Sequence, residues 1–209
     1  MELFDYFEKL KKENSHLSKL TKLVKFMNIF KECCQAVKII HDMKYLHLDI
    51  KPENFMIKDN QVKIIDFGMV KNNDYQTLDV FGTPSFIASD WIINMRTGVE
   101  TTLTYHHDIF SLGCMFIELL YGYVFGKYIE MACPIINKGQ LRTNIINYRA
   151  SYPDKYKEML KTIRNDCMKN GFDENKINLI IEIIEGMVNP VPNKRYQSIN
   201  DLIKNLKNI

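Results

Sequence analysis

Two polar loops bracketing a short hairpin constrain this chain more than any other stretch of its 209 residues. The first loop is His47-Leu48-Asp49-Ile50-Lys51-Pro52-Glu53-Asn54, and the second is Asp66-Phe67-Gly68. Between them, Phe55-Met56-Ile57 and Val62-Lys63-Ile64-Ile65 flank the polar run Lys58-Asp59-Asn60-Gln61, which reads as two strands around a turn. A hairpin this short holds its flanking loops together, so the spacing predicts Asp49 and Asp66 on one face.

Helical patterning surrounds this unit. Leu3, Phe4, Phe7 and Leu10 give residues 2 to 10 a helical period, and apolar residues recur from Leu23 to Leu46 as in one long, largely buried helix. From Met69 to about His107 the pattern is irregular, with turn signals at Asn72-Asn73-Asp74, Gly82-Thr83-Pro84 and Arg96-Thr97-Gly98. Such a long excursion is usually functional. Helical periodicity returns at Asp108 to Tyr121 and across residues 127 to 132, 155 to 169, 174 to 188 and 198 to 208. Asn189-Pro190-Val191-Pro192 separates the last two, because proline cannot continue a helix. The expectation is one domain, mainly α within the α+β class: a helical bundle whose short β-hairpin carries both loops.

The loop residues suit a particular chemistry. A carboxylate such as Asp49 can orient a hydroxyl nucleophile and take its proton, and a cation such as Lys51 can neutralise charge on a migrating phosphoryl group. Asn54 and Asp66 offer hard oxygen ligands of the kind magnesium prefers. A lone Asp49 would read as a turn aspartate; Lys51, Asn54 and an Asp-Phe-Gly turn beyond a hairpin make that coincidence implausible.

On these residues the chain resembles the C-terminal lobe of a eukaryotic-type protein kinase, and the likeness runs from the first helix to the last. Glu2-Leu3-Phe4-Asp5-Tyr6 is similar to the start of that family's helix D, and Gly82-Thr83-Pro84-Ser85-Phe86-Ile87-Ala88-Ser89-Asp90 to the end of its activation segment. Asp108-Ile109-Phe110-Ser111-Leu112-Gly113 resembles its central helix F, and Asn189-Pro190 with Arg195-Tyr196 its closing signature. The resemblance implies a lobe over residues 1–209, with catalytic loop 47–54, metal loop and activation segment 66–90, and helical subdomain 108–209. It implies transfer of the ATP γ-phosphate to a protein hydroxyl, with ATP and Mg2+ as cofactors and a protein as substrate. Asp49 would be the base, Lys51 would meet the transferring phosphate, and Thr83 would bridge the two. Lys51, Glu53, Asn54, Met56 and Asp66 would line the nucleotide side, with Met56 beneath the adenine and Asn54 and Asp66 on the metal. His47, Phe67 and Asp108 would form a spine joining the loops to helix F. Lysine at 51 is the serine/threonine form of the motif.

Three departures qualify the resemblance. No glycine-rich phosphate loop, strand lysine or partnering helix glutamate precedes Asp49 in these residues, so the family's N-terminal lobe has no counterpart here. An exposed apolar surface is therefore expected, with a protein partner that supplies or caps the lobe, or a truncated product. The alternative is a non-catalytic, kinase-derived binding module. Leu48 stands where many relatives carry an arginine that holds a phosphorylated loop residue, so loop phosphorylation is not expected to be the on-switch. Ser89-Asp90 replaces proline-glutamate, and the shorter acid is expected to reach Arg195 only closely or under strain.

Composition narrows the rest. Twenty-eight basic and twenty-five acidic residues leave a net charge of +3, too small and scattered to argue for nucleic acid. Cysteines at 33, 34, 114, 133 and 167 form no CxxC pair and suggest neither a disulfide framework nor zinc. Met1-Glu2-Leu3-Phe4-Asp5 lacks the basic start and apolar core of a signal peptide. Phe110 to Phe125 is interrupted by Glu118 and reads as shorter than the roughly 20 residues of a membrane span, hence as a core helix. An intracellular, cytoplasmic location without a membrane role is expected. The adjacent His106 and His107 point in different directions from a helix and do not read as metal ligands; His41 reads as a core or capping residue.

Overall fold

The structure, a computed structural model, describes residues 1–58, 61–126 and 151–206. The helix expected across residues 127 to 132, the centre of the hairpin turn and Cys133 lie outside the described residues.

Helix α1 (Leu3–Glu13) buries Leu3 and Phe7, and it places Asp5 in its first turn and Lys11 and Lys12 in its last, matching the helix dipole. Helix α2 (Lys19–Asp42) opens on Ser18, whose side chain accepts from the Thr21 N–H. Its core face carries Leu23, Phe26, Met27, Phe30, Cys33, Cys34, Val37 and Ile40. The helix ends at Asp42, four residues before the expected Leu46. Lys44 turns the chain with a φ of 66°, and Tyr45–Leu46 forms strand β1 against a later strand. The apolar pattern persists past the helix because Leu46 joins a second small core with Leu48, Ile87, Trp91, Ile92 and Leu103.

Strands β2 (Phe55–Lys58) and β3 (Gln61–Ile64) form the expected antiparallel hairpin, with Phe55 opposite Ile64. Strand β4 (Lys71–Asn72) pairs with β1, and β5 (Gln76–Thr77) pairs with β6 (Thr101–Thr102). The stretch read as irregular also holds helix α3 (Ser89–Thr97). It is short, and Arg96-Thr97-Gly98 is its stop rather than a free loop: Gly98 takes the left-handed cap at φ 69°.

Helix α4 (Tyr105–Leu119) begins three residues before the expected Asp108, because Thr104 and His107 form a capping box. It continues through a π-helical turn, Leu120–Phe125, so the helical run is 21 residues, longer than the sequence suggested. It is long and apolar enough to cross a membrane, but 89% of its apolar window is buried inside the protein. Every residue from His107 to Ile117 is buried, which is why it is apolar on all sides.

Helices α5 (Tyr152–Lys169), α6 (Glu174–Val188) and α7 (Ile199–Asn205) complete the bundle. The α4–α6 crossing depends on Gly113: a Cβ there would lie 2.3 Å from Val188 Cγ1 and 2.7 Å from Met187 Cβ. Gly113→Ala is expected to lower stability by about 1–3 kcal/mol through overpacking. An unchanged denaturation midpoint would show that the helices separate at no cost.

Candidate active site

Asp49, Lys51, Asn54 and Thr83 meet in one hydrogen-bonded cluster. Pro52 starts a single 3₁₀ turn, Pro52–Asn54, that folds Asn54 back onto the loop. The Asn54 amide nitrogen donates to the Asp49 carbonyl at 2.7 Å and to Asp49 Oδ2 at 3.0 Å. Lys51 Nζ lies 2.8 Å from the same Oδ2. The other oxygen, Oδ1, accepts from the Thr83 N–H at 2.9 Å and the Thr83 hydroxyl at 2.7 Å. Lys51 Nζ also donates to that hydroxyl at 2.9 Å, which fixes the direction of the chain Lys51 to Thr83 to Asp49. An ionised carboxylate has about four lone-pair sites, and Asp49 has four donors on them. Burial pushes the Asp49 carboxyl up, but the bonds from Lys51, Thr83 and Asn54 outweigh it and hold it below the usual carboxylate range.

Gly82 lets Thr83 come this close. Its φ is 94°, and a Cβ on it would sit 2.5 Å from the Leu48 carbonyl oxygen.

The loop rests on Asp108, at the start of α4 and fully buried. Asp108 Oδ1 accepts from the Leu48 N–H at 2.8 Å, while Oδ2 accepts from the His47 N–H at 2.8 Å and lies 3.0 Å from His41 Nε2. Burial pushes this carboxyl up too, and its partners, His41 foremost, bring it below its ordinary value. These bonds hold Leu48 at φ 64°, a left-handed conformation costing on the order of 1–3 kcal/mol for such a residue.

Asp66 stands outside the Asp49 cluster. It is exposed at φ 63°, and its Oδ1 accepts only from the Gly68 N–H, at 3.2 Å, among the described residues. Two bonds tie the loops together: Ile65 N–H to the Asn54 carbonyl at 2.8 Å, and His47 Nε2 with the Ile65 carbonyl at 3.1 Å. The His47 and Phe67 rings are 5.7 Å apart, so the expected spine of His47, Phe67 and Asp108 is in contact. Asn54 and Asp66 fit a magnesium ion chemically. The Asn54 amide nitrogen is spent on Asp49, which leaves its Oδ1 as acceptor, and Asp66 adds one carboxylate. No group of three or more His, Cys, Asp or Glu side chains among the described residues could hold a metal. A site of one amide and one carboxylate suits an ion that takes its remaining oxygens from phosphate and water.

Glu53 is exposed beside the cluster, and Met56 is half-buried on β2. Glu118, which the sequence marked only as a break in an apolar run, has its carboxyl pushed up to about 7 by burial and then by the charge of Glu53. Ile65, Phe67 and Met69 form exposed apolar surface around Asp66. Leu48 lies buried in the second core, and the Thr77 hydroxyl is bonded to both the N–H and the carbonyl of Asp79.

Sequence reasoning missed the buried partners. His41 reads from the sequence as a core or capping residue, with no sign that it meets Asp108, 67 residues away, or that Tyr105 stacks on it at 4.5 Å. The Ser111 hydroxyl seats the loop on α4 through a 2.7 Å bond to the Phe86 carbonyl. The pair expected between Asp90 and Arg195 forms, with His107 beside it.

Known proteins extend the same pattern. The family model described as "Protein kinase domain" matches residues 1–206. "Dual specificity protein kinase TTK" of Mus musculus is 28% identical over 151 residues, 66% of this chain and 17% of that protein. "Myosin light chain kinase 2, skeletal/cardiac muscle" of Oryctolagus cuniculus is 33% identical over 123 residues, 56% of this chain and 19% of that protein. "Serine/threonine-protein kinase mph1" of Schizosaccharomyces pombe is 30% identical over 103 residues, 44% of this chain and 15% of that protein. The matched region thus spans less than a fifth of each of these relatives. With a match over nearly its whole length and the loop, hairpin and central helix in the matching order, the chain belongs to the protein kinase family.

Proposed function

We propose that this chain is the catalytic part of a serine/threonine kinase, moving the γ-phosphate of ATP to a protein hydroxyl. The observation that carries this reading is the single cluster of Asp49, Lys51, Asn54 and Thr83, in which Lys51, Asn54 and Thr83 each bring a donor to the Asp49 carboxylate. Asp49 orients the acceptor hydroxyl and takes its proton late in transfer, and Thr83 holds Asp49 and Lys51 in register. Lys51 would turn to the transferring phosphate, Asn54 and Asp66 would hold magnesium, and Glu53 and Met56 would complete the nucleotide side. Magnesium bound there would spread the charge that develops on the transferred group. The serine/threonine class rests on Lys51 alone.

The sequence carries no glycine-rich phosphate-loop motif before Asp49. Ile65, Phe67 and Met69 are exposed where a nucleotide cover would rest. We therefore propose a covering protein surface, from a longer form of the chain or from another protein. Leu48 offers a loop phosphate no charge, so activity in this reading needs none.

The protein, isolated from its own cells with whatever accompanies it, is expected to transfer labelled phosphate from magnesium-ATP to serine or threonine. Chelation should abolish the label and phosphatase pretreatment should leave it unchanged. Label that survives chelation overturns the magnesium roles of Asn54 and Asp66, no label in either arm overturns the catalytic reading in favour of a binding module, and a loss after phosphatase overturns the account of Leu48.

A further inference from the structure

The buried groups around Asp90 have no part in the proposed chemistry, yet they hold the segment that delivers Thr83. Asp90 lies in the first turn of α3, and its side chain reaches toward α4 and the loop before α7. Arg195 is buried and divided among three acceptors: Nε donates to the Asn189 carbonyl at 2.7 Å, Nη1 to the His106 carbonyl at 3.3 Å, and Nη2 to Asp90 Oδ1. A guanidinium can grip a carboxylate through two N–H groups. Here it spares one, and Asp90 Oδ2 remains for another donor.

His107 faces that oxygen, with Nε2 3.5 Å from Asp90 Oδ2. Its other nitrogen, Nδ1, lies 3.2 Å from the Thr104 carbonyl and 3.0 Å from the Thr104 N–H, and the capping box, the shorter contact, takes it as the acceptor. A neutral imidazole that accepts at one nitrogen carries its proton on the other, so that proton lies on the Asp90 side. Nε2 is buried and has no hydrogen-bond partner among the described residues, so what it offers Asp90 Oδ2 at 3.5 Å is a close polar contact. The charged group facing the ring is Asp90 from α3, and Arg195, from the loop before α7, lies on the other oxygen of the same carboxylate. Burial pushes the Asp90 carboxyl up, and His107 and Arg195 together hold it well below its usual range.

The same ring meets the next residue. Trp91 stands edge-on to His107 with centroids 5.6 Å apart and edge-on to Phe81 at 5.0 Å, and its indole N–H donates to the Asp79 carbonyl at 3.0 Å. From α4, His107 therefore touches two consecutive residues at the end of the segment that carries Thr83.

We propose that His107 is a positioning residue: it shares Asp90 with Arg195 and so seats residues 79–91 on α4. Its need follows from the length of the acid. An aspartate meets one guanidinium N–H and needs a second donor; a glutamate, one methylene longer, would reach two N–H groups of Arg195 without His107.

Trp91 is the only tryptophan in the sequence, so the fluorescence of the protein reports the surroundings of this one residue. His107→Ala is expected to shift Trp91 emission to longer wavelength and open it to acrylamide, and Asp90→Glu added to that variant is expected to reverse both changes. A histidine that merely fills space would not be rescued this way, because the glutamate does not refill the cavity. No change on His107→Ala, or no rescue by Asp90→Glu, overturns the proposal. If the alanine variant does not fold, His107→Gln, which keeps a donor, should leave Trp91 shielded, and His107→Leu, which does not, should expose it; equal behaviour overturns the proposal. A second readout rests on the kinase reading: the rescued pair should share a KM for protein substrate that His107→Ala alone raises. The fluorescence arm needs no activity, so failure of the function and failure of the positioning role are distinguishable.

Discussion

Asp49→Asn is expected to slow phosphotransfer on the order of a thousandfold, within the 10²–10⁴ range for loss of a positioned general base. The substitution keeps the size and shape of the side chain. Its amide oxygen can still accept from the Thr83 N–H and hydroxyl, the partners of Oδ1. Its NH2 would then face the Asn54 amide and the Lys51 ammonium, both donors, where Oδ2 accepted from them. That mismatch costs about 1–3 kcal/mol of local stability. The fold should survive it, since the core does not depend on this atom. On the proposed reading the rate loss comes instead from a group that can no longer take a proton. Steady-state turnover at saturating magnesium-ATP measures it; an undiminished rate would remove Asp49 from the mechanism. Because the folded carboxyl sits below its usual range, the wild-type rate should stay flat as pH falls toward that range.

Asp108→Ala is expected to cost about 3–5 kcal/mol, the range for stripping one side of a buried charged network. It would orphan the backbone N–H groups of His47 and Leu48 and the His41 ring nitrogen, all in fully or nearly fully buried residues. Nothing would then hold Leu48 in its left-handed conformation, so Asp49 would lose its place together with the stability. Asp108→Asn keeps the volume and one acceptor and should fall between wild type and alanine. Chemical denaturation measures the series; an alanine variant as stable as wild type would mean that water replaces the carboxylate. The pH dependence has a definite sign. The folded Asp108 carboxyl is lowered, so its contribution is complete above the unfolded value and is lost as pH falls through the folded one. Asp108→Asn should flatten that acid limb.

What the sequence disclosed and what it concealed follow from range. Helix α6 occupies the stretch from 174 to 188 that periodicity marked, because its apolar face repeats through every turn. The hairpin and the cluster of Asp49, Lys51 and Asn54 were legible for a similar reason: the residues lie within a few positions of one another. Asp66 is expected beside them, but among the described residues its loop is tied to theirs through Ile65, whose N–H meets the Asn54 carbonyl and whose carbonyl meets His47, and through Phe67 against His47. Helix α3 escaped because its buried residues, Ser89, Trp91 and Ile92, all fall in its first turn and set up no repeat, and its Gly98 stop resembles an ordinary loop glycine. Helix α2 was overextended because Leu46 stays apolar after the helix ends, burying itself in a different core. The two buried histidine–carboxylate contacts were out of reach for another reason. His41 meets Asp108 across 67 positions, and His107 meets an aspartate 17 residues earlier, on another helix. No period or motif links such partners; only the packing of α2, α3 and α4 does.

The four donors on Asp49 bear on the order in which a reaction at this site could proceed. A base whose lone pairs are all taken has no room for an acceptor hydroxyl until one donor leaves. Among the four, the Thr83 N–H is fixed by the backbone, and the Thr83 hydroxyl and Asn54 amide are neutral groups held at short range. Lys51 is the one a triphosphate can draw away, since it offers an anion in exchange. On the proposed reading nucleotide therefore binds first and the protein acceptor second. The same exchange keeps the base closed to water while no nucleotide is bound.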